Sequence, residues 1–72
     1  MAFTEFGSVK KGVSANVFQR PSFLSKHLCT LDASEKVQID PKQSTECYYY
    51  IKTQTDQEGY CMMPLIEKGD PL

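Results

Sequence analysis

Two patterns of apolar and polar residues stand out along the chain. Val13, Ala15 and Val17 alternate with Ser14 and Asn16, the period of a strand with one buried face. From residue 47 to residue 55 the chain is rich in aromatic and β-branched residues, and Tyr60 to Lys68 is a second such run. Between them lies Asp56-Gln57-Glu58-Gly59, with Asp and Gly at the first and fourth positions of a type I turn. A type I turn followed by a left-handed glycine is a common hairpin closure. The pattern therefore predicts a hairpin turned at Gly59, with Thr53 facing Met63 and Ile51 facing Leu65. One face would carry Cys47, Tyr49, Ile51, Cys61, Met63 and Leu65, the better core. The other would carry Tyr48, Tyr50, Met62 and Ile66, with Lys52, Gln54, Pro64 and Lys68 among them.

The rest of the chain is less decisive. Phe3 and Phe6 precede a Gly- and Lys-containing stretch ending at Gly12, which reads either as a loose hairpin or as an extended arm docking elsewhere. In residues 21–40, Pro21 suits the first turn of a helix, with Leu24, Leu28 and Leu31 at helical spacing. The same stretch also accommodates two strands, His27 to Leu31 and Lys36 to Asp40. The favoured expectation is a short helix or turn near 21–27 and a strand at 36–40. Asp32 and Glu35 have capping-box spacing, but no long apolar period follows them.

The resulting fold class is mainly β, with a small α+β variant left open by residues 21–31. The expected architecture is a small antiparallel sheet or barrel built on the C-terminal hairpin, with an extended N-terminal segment. Residues 1–20 form the arm or loose hairpin, and residues 21–72 form the small β domain.

Composition changes this picture in one respect. At 72 residues a domain buries only about 60% of the surface its unfolded chain exposes. Its core then supplies on the order of 3–5 kcal/mol. Three cysteines are an odd number and too few for a disulfide-dense scaffold. Missing stability is therefore expected from a partner. Eight basic and nine acidic residues, net charge −1, give no electrostatic attraction to a phosphate backbone, so a nucleic-acid partner is disfavoured. The start lacks the apolar run of a signal peptide, Ala2 excludes myristoylation, and the ending is not a prenylation box. No stretch reaches the roughly 20 apolar residues of a membrane span. A reducing cytoplasm, or the inside of a virus particle, suits the free thiols.

Candidate chemistry is thin. His27 and Cys29, two apart, would share a face of a strand, a chance spacing with no third group to orient them. His27, Cys29, Cys47 and Cys61 are enough in number for zinc, but no C-x-x-C knuckle is present. The expected hairpin also places Cys47 more than roughly 20 Å from Cys61. No catalytic residue, metal ligand or cofactor is assigned.

What remains is surface. Tyr48, Tyr50, Met62 and Ile66 make the second hairpin face greasier than a solvated face requires. Pro64 marks an edge or a bulge. With Phe3 and Phe6, these residues form the expected protein-binding set. The function read from them is non-enzymatic: a small structural or interaction subunit of a larger assembly, such as an accessory component of a virus particle or another multi-subunit complex. Neighbouring subunits would tie down both chain ends. The alternative is a small β-barrel that binds single-stranded nucleic acid through stacked tyrosines, or a regulatory protein.

Overall fold

The computed structural model describes residues 3–69. The expected anchoring of Met1 and Leu72 lies outside them. Seven strands form a single antiparallel sheet: β1 (Glu5–Val9), β2 (Ala15–Phe18), β3 (His27–Leu31), β4 (Lys36–Asp40), β5 (Tyr48–Lys52), β6 (Glu58–Met62) and β7 (Ile66–Gly69). Their spatial order is β3-β2-β6-β5-β4-β1-β7, so the sheet is open, with β3 and β7 at its edges. The fold is mainly β, antiparallel and built around a β5–β6 hairpin, as the sequence predicts. Among the described residues no helix is long and apolar enough to cross a membrane.

The sheet curls around one apolar core. Val9, Ala15, Val17, Leu31, Val37, Ile39, Ile51, Cys61 and Ile66 are buried together, with Leu28, Cys29, Tyr49 and Leu65 packed against them. The alternation read at Ala15 and Val17 is the inward face of β2, with Asn16 turned out.

Four expectations are corrected. First, of the segment 1–20, residues 3–20 are neither an arm nor a hairpin. Glu5–Val9 is an integral strand between β4 and β7, and Ala15–Phe18 pairs with β3 and β6, so β1 and β2 never pair with each other. Gly7 permits this insertion, since a Cβ there would lie 2.9 Å from the Glu67 carbonyl oxygen.

Second, of the helix or turn expected near 21–27, the turn is what forms and the helical option is not taken. His27–Leu31 is a strand, and the preceding residues are turns. Ser22 and Ser25 hydrogen-bond the nearby backbone there, offering it an alternative to a helical ladder.

Third, the hairpin register is displaced. Ile51 faces Gly59 rather than Leu65, a slip of six residues along the return strand (65 − 59). The turn is closed earlier, at residues 53–57. Thr53 N–H donates to the Gln57 carbonyl at 2.9 Å, and Asp56 N–H to the Thr53 carbonyl at 3.0 Å. The buried Thr53 hydroxyl accepts from the N–H groups of Thr55 and Gln57. Asp56 takes the left-handed conformation (φ 65°) expected of Gly59, which Asp tolerates through its short polar side chain.

Fourth, the return segment is two strands. Met63–Leu65 is a 3-10 turn with Pro64 in its first positions. Proline has no N–H for a ladder, so the chain leaves β6 there and β7 joins β1 at the far side of the sheet. Pro64 therefore redirects the chain instead of blunting an edge.

Candidate functional site

Cross-strand register builds the candidate site. On the convex side of the sheet, away from the core, Phe18 of β2 faces Tyr60 of β6, and Tyr60 faces Tyr50 of β5. The Tyr50 and Tyr60 ring centroids lie 4.9 Å apart in an edge-on arrangement. Phe3 stacks on Tyr50 at 5.9 Å with planes 21° apart. His27 meets the other end of the row, edge-on to Phe18 at 6.1 Å. Such offset and edge-to-face geometries suit ring quadrupoles and add about 0.5–1.5 kcal/mol per pair. Five rings thus run across the sheet.

The neighbouring row, Tyr48 facing Met62, is apolar. The row on the other side, Phe6–Gln38–Lys52–Glu58, is mixed. Lys52 Nζ sits 5.9 Å from the Phe3 centroid and 3.6 Å from the Asp56 carboxylate. The Tyr50 hydroxyl donates to Glu58 Oε1 at 3.0 Å. Burial, followed by that bond to Glu58, raises the Tyr50 hydroxyl above its ordinary range, so it remains a neutral donor.

Asp40 shapes the rim. It is buried, and its carboxylate accepts from Lys42 N–H at 2.9 Å and Gln43 Nε2 at 2.6 Å. Pro41 after Asp40 suits this turn. Ser44 Oγ then donates to the Asp40 carbonyl and accepts from Tyr50 N–H, tying the loop to β5. The bond from Gln43 is the main cause holding the Asp40 carboxyl below its ordinary range. A depressed folded pKa contributes stability that is present above the unfolded value and lost as pH falls through the folded one. We therefore expect the thermal midpoint to fall below about pH 4, and to fall less steeply in Asp40→Asn. Calorimetry across acid pH checks this, and parallel pH curves for the two proteins would contradict it.

The expected binding residues divide. Phe3, Tyr48, Tyr50 and Met62 share the convex face, and Phe6, 39% exposed, lies further along it. Tyr48 is buried and Met62 is 37% exposed, so Met62 offers the more accessible surface. Pro64 is exposed in the 3-10 turn. Ile66 is corrected outright, since it is a core residue, 4% exposed. Its strand pairs with β1 and turns Ile66 inward beside Val9. The sequence reading missed Phe18 and Tyr60. The displaced register hid Tyr60, and Phe18, which follows Asn16 on the outward side of the β2 alternation, joins the row only through the long-range pairing of β2 with β6.

The thiols also move. Cys47 is exposed, Cys29 half-buried and Cys61 buried, all free. Met63 N–H donates to the Cys47 carbonyl, and Tyr49 faces Cys61. Cys47 and Cys61 are therefore diagonal neighbours about 7–8 Å apart, and the separation of more than 20 Å is overturned. His27 and Cys29 do not share a face. The β2–β3 bulge turns Cys29 toward the core while exposed His27 bonds Thr30 Oγ1 at 2.9 Å. Burial raises the Cys29 thiol, and raises Cys61 to about 11, the opposite of nucleophile activation. Among the described residues no group of three or more His, Cys, Asp or Glu is placed to hold a metal ion.

Comparison with protein-family models, with curated proteins and with solved structures finds no significant match.

Proposed function

We propose that the chain is a non-enzymatic interaction subunit that binds a protein neighbour through the convex aromatic face, as an accessory component of a larger assembly. The observation that carries this reading is the row of half-buried rings Phe3, Tyr50 and Tyr60, outside the core cluster, with Met62 exposed beside it; Phe18 at the end of the row is buried, 8% exposed, and supports the row without offering surface. Aromatic residues and methionine are enriched at interface centres, and Arg, Tyr and Trp dominate hot spots. The β3 edge supports the same reading. It carries no Asp, Glu, Lys or Arg, whereas the β7 edge carries Glu67 and Lys68. Proteins usually guard free edges with charge, so an unguarded edge suits a neighbour. A location in the cytoplasm or inside a particle belongs to this proposal and rests on the three free thiols.

Single-stranded nucleic acid is the less favoured occupant of the same rings. Base stacking needs cations for the phosphates, but Lys52 is paired with Asp56, and Glu58 stands next to Tyr50.

The test uses the full chain in native extract from its source, followed by light scattering. Wild type is expected in a complex well above its 8.2 kDa. Tyr60→Glu with Met62→Lys should run as a monomer with a nearly unchanged thermal midpoint. A wild-type monomer in extract, or a double variant that assembles normally, refutes the proposal. Assembly that weakens steeply with salt would move the assignment to nucleic acid.

A further inference from the structure

The β2–β3 connection lies apart from the Tyr50–Tyr60 centre of the aromatic row and has a distinct character. Gln19 N–H donates to the Lys26 carbonyl at 2.9 Å and closes its neck. Within it, Ser22 N–H donates to the Arg20 carbonyl and Ser25 N–H to the Ser22 carbonyl. The Ser25 hydroxyl donates to Ser22 and accepts from Arg20 N–H at 3.1 Å. The loop is therefore held by its own bonds, with its two apolar side chains outside. Phe23 is 65% exposed and Leu24 83%, well above the other exposed large hydrophobics. The core does not take them in.

Charge points to what does. The loop from Gln19 to Lys26 holds Arg20 and Lys26 and not one Asp or Glu. Arg20 and Lys26 flank the neck of the loop, and among the described residues neither joins a salt bridge. At the same end of the sheet the hairpin turn carries Asp56, paired with Lys52, and Glu58, which accepts the Tyr50 hydroxyl and keeps its charge, so the cations there that face outward without an acidic partner among the described residues are those of the loop neck.

We propose that this loop is a docking tip for an anionic membrane surface. Phe23 and Leu24 enter the headgroup–acyl boundary, and Arg20 and Lys26 meet lipid phosphates and carboxylates. Interfacial binding of this kind combines buried apolar area with attraction to anionic lipid. A protein pocket must match a protruding Phe-Leu pair in shape, while a bilayer yields to it and presents negative charge all round the neck. Two side chains and two cations give weak, reversible binding, which several copies in one assembly would strengthen by avidity.

The chain has no tryptophan, so Phe23→Trp is a site-specific reporter. The full chain is titrated with phosphatidylcholine vesicles containing about one third phosphatidylserine, a surface negative enough to attract a small basic cluster, and with pure phosphatidylcholine vesicles. The indole emission of the Phe23→Trp variant should shift to the blue on the anionic vesicles. Wild type should co-sediment with them about tenfold better than with neutral ones. Phe23→Ala with Leu24→Ala, and separately Arg20→Gln with Lys26→Gln, should each lower that binding about tenfold with unchanged circular dichroism. Tyr60→Glu with Met62→Lys should leave it intact, separating this surface from the aromatic face. Absence of both blue shift and sedimentation overturns the proposal, as does binding that survives both loop double variants or is equal on neutral vesicles.

Discussion

Gly59→Val should leave the chain unfolded at room temperature, and Gly59→Ala should lose most of its stability. Gly59 is buried in β6, where β2 crosses closest. A Cβ added there would lie 2.6 Å from Val17 Cγ1, 2.7 Å from the Phe18 carbonyl oxygen and 3.1 Å from Leu28 Cδ1. Two of these neighbours cannot yield cheaply. The Phe18 carbonyl is backbone, and Phe18 opposite Tyr60 is the pairing that joins β2 to β6. Val17 is fully buried and branched at Cβ, with restricted χ1 freedom. Overpacking of this kind costs typically about 1–3 kcal/mol, occasionally more, against a total of about 3–5 kcal/mol for a core this small. Separation of β2 from β6 would also detach β3, because β3 reaches the sheet through β2. Far-UV circular dichroism with urea titration reads the effect. An alanine variant with the wild-type urea midpoint would show that the two strands are not this close.

Ile51→Ala should destabilise the fold by about 2–5 kcal/mol, comparable to its whole stability. Ile51 is at the centre of the sheet and fully buried. It faces Ile39 on β4 and Gly59 on β6. The glycine matters here, since it has no side chain to move into the space Ile51 would leave. Poor collapse around a cavity is what places a truncation at the upper end of the range. Leu24→Ala, which removes an equally large group from an exposed loop, should shift the urea midpoint little. The comparison of the two variants by urea titration measures core burial directly. Equal, small effects would contradict the placement of Ile51.

Parts of the fold were legible because they depend on local pattern. Ala15 and Val17 inside β2 follow the two-residue period of a strand, and their burial agrees with it; Lys36–Asp40 is the strand expected there. The candidate site was half legible. Tyr48 and Tyr50 had to share a face with one another, because successive strand residues alternate sides. Which residues face them depended on register, and register depended on the turn. Asp56-Gln57-Glu58-Gly59 satisfies turn preferences well, but so does Asp56 alone in a left-handed position supported by the Thr53 hydroxyl. The second closure prevails because it places Gly59 opposite Ile51, where β2 needs room; the even slip leaves each side chain on its face.

Ile66 illustrates the same point at longer range. As the continuation of one strand it would lie beside Met62 on the outer face. Pro64 breaks that strand, and Ile66 goes to the core next to Val9, a residue far away in sequence. No local preference encodes that pairing.

The residue order alone indicated the mainly β character, the existence of a hairpin between residues 47 and 68, the inward positions Ala15 and Val17 and a strand at 36–40, and it fixed the near-neutral charge balance. These follow from side-chain alternation, β propensity and counting, each readable within a few residues. Only the three-dimensional arrangement decided that Glu5–Val9 is an interior strand, that Gly59 marks a close crossing rather than a turn, that Phe18 and Tyr60 extend the aromatic row, and that Phe23 and Leu24 stay in the open. Those outcomes arise from competition among distant segments for one small core, where the space left by one side chain sets the place of another.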